Sequence, residues 1–115
     1  MINKSFEKAK EQSKLLEYDL SQNPNKYRVL TGDRPTGNLH LGHYFGSITN
    51  RLKLQNSGIE TYVLIADYQV LTDRDVFNEI SKFTYELTLD YLACGLDPEN
   101  HKTHIFPHSQ IPELN

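Results

Sequence analysis

The stretch that most restricts the fold is TYVLIA at 61–66, an almost unbroken apolar run. It is short and rich in aromatic and branched side chains, so it reads as a strand rather than a buried helix. A continuous apolar strand belongs in a parallel sheet with both faces covered. YRVLT at 27–31 and THIF at 103–106 read as further strands on either side of it. Between the strands the period changes. From about His40, Leu41, Phe45, Ile48 and Leu52 fall on one helical face, and Gly58 stands where that helix should stop. Val76, Ile80, Phe83, Leu87, Tyr91 and Cys94 stripe another helix. TDRD at 72–75 precedes it as a capping box with Asp in the Glu position, and Gly95 and Pro98 end it.

A further helix comes first. Ile2, Phe6, Ala9, Ser13, Leu16 and Leu20 form its stripe over 1–20, and SQNPN at 21–25 stops it. Its apolar side is expected to dock on a neighbouring surface. The chain therefore divides into an N-terminal helical extension, 1–26, and an α/β unit, 27–115. Alternating strands and helices imply a Rossmann-like parallel sheet with right-handed crossovers. A βαβαβ unit is one half of a doubly wound fold, which binds ligands beyond the C-terminal strand ends. The loops at 32–43 and 67–73 lie there.

Composition narrows the function. Fifteen acidic residues against twelve Lys and Arg leave a net charge of −3. That balance argues against these residues forming a main tRNA or DNA contact, which usually leaves a basic patch. Cys94 is the only cysteine, so no internal disulfide forms. It reads as a small buried hydrophobe in a reducing compartment. No segment has a secretory apolar core, and no run approaches the ~20 apolar residues of a membrane span. The expected location is the cytoplasm, with no membrane partner.

PTGNLHLGHYFGS at 35–47 carries the chemistry. It places His40 and His43 three residues apart, with Gly42 between them, where a strand-end loop becomes a helix. A helix start favours anions through its unpaired N–H groups and dipole. Residues three apart on a helix point to nearly the same side, so both imidazoles could donate to phosphate oxygens. Gly42 leaves the backbone open to a ring or a phosphate. The lysine of a Gly-x-x-x-x-Gly-Lys phosphate loop is absent. Zinc would need a further ligand at useful spacing, which the sequence lacks, so no metal site is assigned. Two histidines that merely cap a helix are the alternative.

PTGNLHLGHY resembles the His-Ile-Gly-His motif of class I aminoacyl-tRNA synthetases, with Leu41 in the isoleucine position. The wider string, TGDRPTGNLHLGHYFGS, NRLKLQ, IADYQVLTD, LDYLACGLDPE and HSQIPEL, is similar to the tryptophan branch of that family from about Arg28 to Pro112. The tyrosine branch usually runs through Asp-Pro-Thr where this chain has DRPTG. The resemblance implies the first βαβαβ half of a class I synthetase catalytic domain. It also implies activation of tryptophan by ATP, accompanied by Mg2+, and transfer to tRNA(Trp) by a homodimer. By position, Arg34, Pro35, Thr36, Gly42 and His43 would meet ATP. His40 and His43 would hydrogen-bond the phosphates as charge shifts. Gly32 would leave room for the tryptophan ring, and Asp67, Tyr68 and Gln69 would build part of its pocket. The plain alternative for Asp67 is a loop cap after the second strand.

The chain also departs from that family. A full synthetase is about three times longer and carries a Lys-Met-Ser-Lys-Ser loop, the second half of the nucleotide fold and an anticodon-binding domain. The sequence is thus expected to be an N-terminal fragment, inactive or weakly active alone, with tRNA met mainly through absent regions. Two other functions fit the same motif. One is a His-x-Gly-His nucleotidylyltransferase with another acceptor. The other is a non-catalytic nucleotide-binding fragment or paralogue.

Overall fold

A computed structural model of the chain describes residues 2–35, 44–68 and 77–114. Helix α1 spans Ile2–Gln22, strand β1 Arg28–Asp33, helix α2 Thr49–Asn56, strand β2 Glu60–Ile65, helix α3 Phe77–Cys94 and strand β3 Thr103–Pro107. A π-helical turn, Tyr44–Ile48, leads into α2. The strands form one parallel sheet in the order β1-β2-β3, as the alternation of strands and helices implies. The first part of the helix expected from His40, and the capping box at 72–75, lie outside the described residues.

Strand β1 runs further than expected. Gly32 and Asp33 read as loop residues but pair in register with Leu64 and Ile65 of β2. The ladder outweighs their poor strand propensity, because β2 offers partners to the end of its own run.

Both α2 and α3 cover one face of the sheet. Ile48, Val63, Ile65, Leu87, Tyr91 and Leu96 form the buried core, with Leu52, Cys94 and Ile105 packed against it. Cys94 is only partly buried, and that desolvation raises its thiol pKa. Each helix ends on a glycine in the left-handed region, Gly58 at φ 85° and Gly95 at φ 115°. The next residue then bonds back five positions: Ile59 N–H to Leu54 O at 3.2 Å and Leu96 N–H to Tyr91 O at 3.1 Å. Ile59 and Leu96 are themselves buried, the hydrophobic contact that accompanies such endings. Buried Gln55 joins these ends to β3. Its amide donates to Gly95 O at 3.1 Å, and its Oε1 accepts from Asp97 N–H at 2.8 Å and Thr103 Oγ1 at 2.7 Å.

The other face departs from expectation. In β2 only Thr61, Val63 and Ile65 are buried, while Tyr62 and Leu64 are half-buried. They line an apolar cleft of about 750 Å³ with Leu30, Phe106, Ile111 and Leu114. Leu30 is 69% exposed. The run TYVLIA suits burial on both faces, and among the described residues only one is covered. An uncovered apolar face beside unpaired strand edges favours association. The isolated 115-residue polypeptide is therefore expected to self-associate at low micromolar concentration. A clean, stable monomer by light scattering would contradict this.

Helix α1 does not dock as expected. Phe6 and Leu16 of its apolar stripe are exposed. It is held at its C-terminal end, where Asp19 accepts from Asn23 Nδ2 at 2.8 Å, Lys26 Nζ at 3.2 Å and the Tyr27 hydroxyl. The Tyr27 bond first, then those to Asn23 and Lys26, lower the Asp19 carboxyl pKa to about 2.

Candidate functional site at the strand C-terminal ends

The C-terminal ends of the three strands lie side by side, with Gly32 beside Leu64 and Asp33 beside Ile65, and Ile65 beside Pro107. The Ala66 amide donates to Asp33 O at 2.8 Å and extends this alignment past the ladder. Arg34 leaves β1 exposed, and Pro35 after it is fully buried. An exposed guanidinium at a strand end suits a polyphosphate, which it can grip through several donors. Thr36, His40, Gly42, His43 and Gln69 lie outside the described residues.

Gly32 has a packing reason for its identity. A Cβ there would come within 2.9 Å of the Leu64 carbonyl oxygen and 3.3 Å of the Leu64 Cβ. A backbone oxygen in a paired strand cannot step aside. By strand alternation Gly32 lies on the same face as Leu30, which lines the apolar cleft. In the full-length protein, Gly32→Ala is expected to cost ~1–3 kcal/mol of stability, the usual range for overpacking. An unchanged melting temperature would contradict this contact.

Asp67 is buried just after β2 and is a junction between two strand exits. It accepts from the Tyr68 amide at 3.0 Å, the Ser109 amide at 3.1 Å and the Ser109 hydroxyl. The Tyr68 and His108 rings meet at 4.9 Å between centroids, tilted by 50°. Two residues after β2 and two after β3 are thus joined into one wall. His108 also lines the apolar cleft, and its Nε2 is buried with no hydrogen-bond partner among the described residues. Sequence reasoning missed His108 and Ser109, because their link to Asp67 spans 42 residues.

It also missed a polar cluster at the C-terminal end of β1. Arg51 on α2 is 5% exposed, and its Nη1 lies 2.6 Å from Asp33 Oδ2. The buried Tyr91 hydroxyl of α3 donates to the same Asp33 oxygen. Burial alone would lower the Arg51 pKa, but the bond to Asp33 and its charge outweigh this and raise it. Burial first, then Asp33, push the Tyr91 hydroxyl well above its usual range, so it stays a neutral donor. The sequence did carry a signal for this cluster. Arg51 follows Ile48 by one helical turn, so it sits on the apolar face and requires an acid.

Similarity to known proteins agrees with this arrangement. The family description "tRNA synthetases class I (W and Y)" matches residues 22–114. Tryptophan–tRNA ligase of Clostridium longisporum is 55% identical over 89 residues, covering 76% of this chain and 26% of the relative. Tryptophanyl-tRNA synthetase of Campylobacter jejuni, solved with ADP and tryptophan, superposes with a TM-score of 0.68 at 30% identity, covering 76% of this chain and 27% of that one. Tyrosyl-tRNA synthetase of Archaeoglobus fulgidus, solved with L-tyrosine, also gives 0.68, at 28% identity, covering 84% of this chain and 30% of that one. The chain spans about a quarter of the length of the curated relatives it matches.

Proposed function

The chain belongs to the class I aminoacyl-tRNA synthetases of the tryptophan and tyrosine group, and from that premise we propose that it is part of an enzyme that charges tRNA(Trp) with tryptophan. The observation that carries the reading is PTGNLHLGHY at the exit of β1, within a chain 55% identical to a tryptophan–tRNA ligase. In the proposed reaction a carboxylate oxygen of tryptophan attacks the α-phosphorus of ATP and pyrophosphate leaves. A hydroxyl at the 3′ end of tRNA then attacks the carbonyl carbon and AMP leaves.

The residues divide by position. Residues 27–115 form the first half of the nucleotide fold, and 1–26 are an extension to it. Arg34, Pro35, Thr36 and Gly42 bind ATP. His40 and His43 donate to the phosphates where charge grows, the kind of preorganised donor that favours a transition state over its substrate. Gly32, Asp67, Tyr68 and Gln69 form one side of the tryptophan pocket. Tyr68 offers an aromatic face, and Asp67 holds the wall through Ser109. Mg2+ would arrive with the ATP phosphates and offset their charge. Among the described residues no group of three His, Cys, Asp or Glu is arranged to hold a metal.

The complete enzyme is proposed to act as a cytoplasmic homodimer. Among the described residues no helix is long and apolar enough to cross a membrane. Amino-acid-dependent ATP–pyrophosphate exchange by the full-length gene product tests the proposal. Tryptophan-driven exchange supports it, tyrosine-driven exchange moves the chain to the sister branch, and no exchange leaves a non-catalytic binding module.

A further inference from the structure

Three elements meet at one carboxylate oxygen at the C-terminal end of β1. Asp33 is the last residue of β1, directly before Arg34 and Pro35. Arg51 comes from α2, the helix that follows His43, and Tyr91 comes from α3. Arg51 Nη1 lies 2.6 Å from Asp33 Oδ2 and 3.5 Å from the Tyr91 hydroxyl, and its guanidinium carbon is 5.8 Å from the Tyr91 ring centre. The Arg51 side chain is 6% exposed and that of Asp33 24%. Among the described residues the buried Nε of Arg51 has no hydrogen-bond partner.

That orphaned nitrogen is informative. A buried ion pair gives little net stability over apolar groups of similar volume, and one with an unsatisfied N–H gives less. What the pair supplies that a methionine could not is direction. It joins the strand that enters the loop 34–43 to the helix that leaves it. The separation and tilt of those two elements set the span that the chain between Arg34 and Tyr44 has to bridge. Misplacement by about 1 Å can cost on the order of 10²-fold in rate when reacting groups must be aligned.

We propose that Arg51, acting through Asp33 and Tyr91, is a positioning residue for adenylate formation, clamping the two elements that carry the ends of the nucleotide loop. The inference rests on the synthetase reading above and adds to it a residue that touches neither ATP nor tryptophan. The clamp should govern the chemical step and ATP binding more than tryptophan affinity, because of the proposed pocket residues only Gly32 belongs to β1, while Asp67 and Tyr68 follow β2 and are tied to the exit of β3.

The test uses the full-length enzyme, comparing wild type with Arg51→Met and with the double variant Asp33→Asn, Arg51→Met. Rapid quench measures adenylate formation, fluorescence titration measures tryptophan binding, and calorimetry measures the melting temperature. Arg51→Met removes the countercharge of the largely buried Asp33 carboxylate and is expected to lower the melting temperature. It should also slow adenylate formation about 10-fold, within the range for small misplacements. The double variant strands no charge, so its melting temperature should recover. Its rate should stay low, and its tryptophan affinity should remain within about two-fold of wild type on the same geometric argument. A rate that recovers together with the melting temperature would make the cluster purely structural and overturn the proposal. If Arg51→Met fails to fold, the double variant alone decides between these outcomes. A wild-type enzyme that makes no tryptophanyl-adenylate overturns the synthetase reading, and this proposal with it, before any variant is needed.

Discussion

In the full-length enzyme, His43→Ala is expected to slow single-turnover adenylate formation by about 10², because one preorganised donor aimed at developing charge contributes roughly 3 kcal/mol. Tryptophan affinity should change far less, since the proposed reading assigns the motif to the nucleotide, while Asp67 and Tyr68 follow β2. His40→Ala should act in the same direction and more mildly. Gly42→Lys should be worse than either, because its side chain fills the space the nucleotide needs. If the histidines only cap a helix, alanine should instead cost about 1 kcal/mol of stability and leave the rate alone. Rapid-quench rates measured beside melting curves separate the two accounts.

The elements were legible where local chemistry decides them. TYVLIA and THIF read as strands because short apolar runs have few alternatives, and Gly58 and Gly95 read as helix ends because glycine readily takes the positive φ that both adopt. What could not be read locally depends on contacts made far along the chain. Gly32 and Asp33 look like loop residues until Leu64 and Ile65 pair with them. Asp67 looks like a loop cap because its partner Ser109 belongs to the exit of another strand. The apolar side of α1 predicts docking, yet nothing local names the surface it would meet, and its side chains are exposed.

The candidate site divides in the same way. Arg34 and Pro35 stand at the exit of β1, where the motif puts them. Asp33, one residue earlier, reads in the sequence as part of a polar loop. Its significance appears only when Arg51 and Tyr91 converge on it from two helices. A charged residue on an apolar helix face is the signal worth following in such a sequence, because burial obliges it to find a partner.

The central claim is the choice of amino acid. The tryptophan and tyrosine enzymes share this fold, and structures of both kinds superpose on the chain with a TM-score of 0.68. Fold alone therefore cannot discriminate between them, and the pocket must. A pocket shaped for an indole offers a phenol an ill-fitting cavity and leaves polar groups unpaired. Each loss is larger in the transition state, where the substrate must be held still. The most direct measurement is ATP–pyrophosphate exchange by the full-length enzyme with each amino acid at equal subsaturating concentration. The account predicts exchange at least ~100-fold faster with tryptophan than with tyrosine, about 2.7 kcal/mol of discrimination. Exchange driven equally well by tyrosine would contradict it.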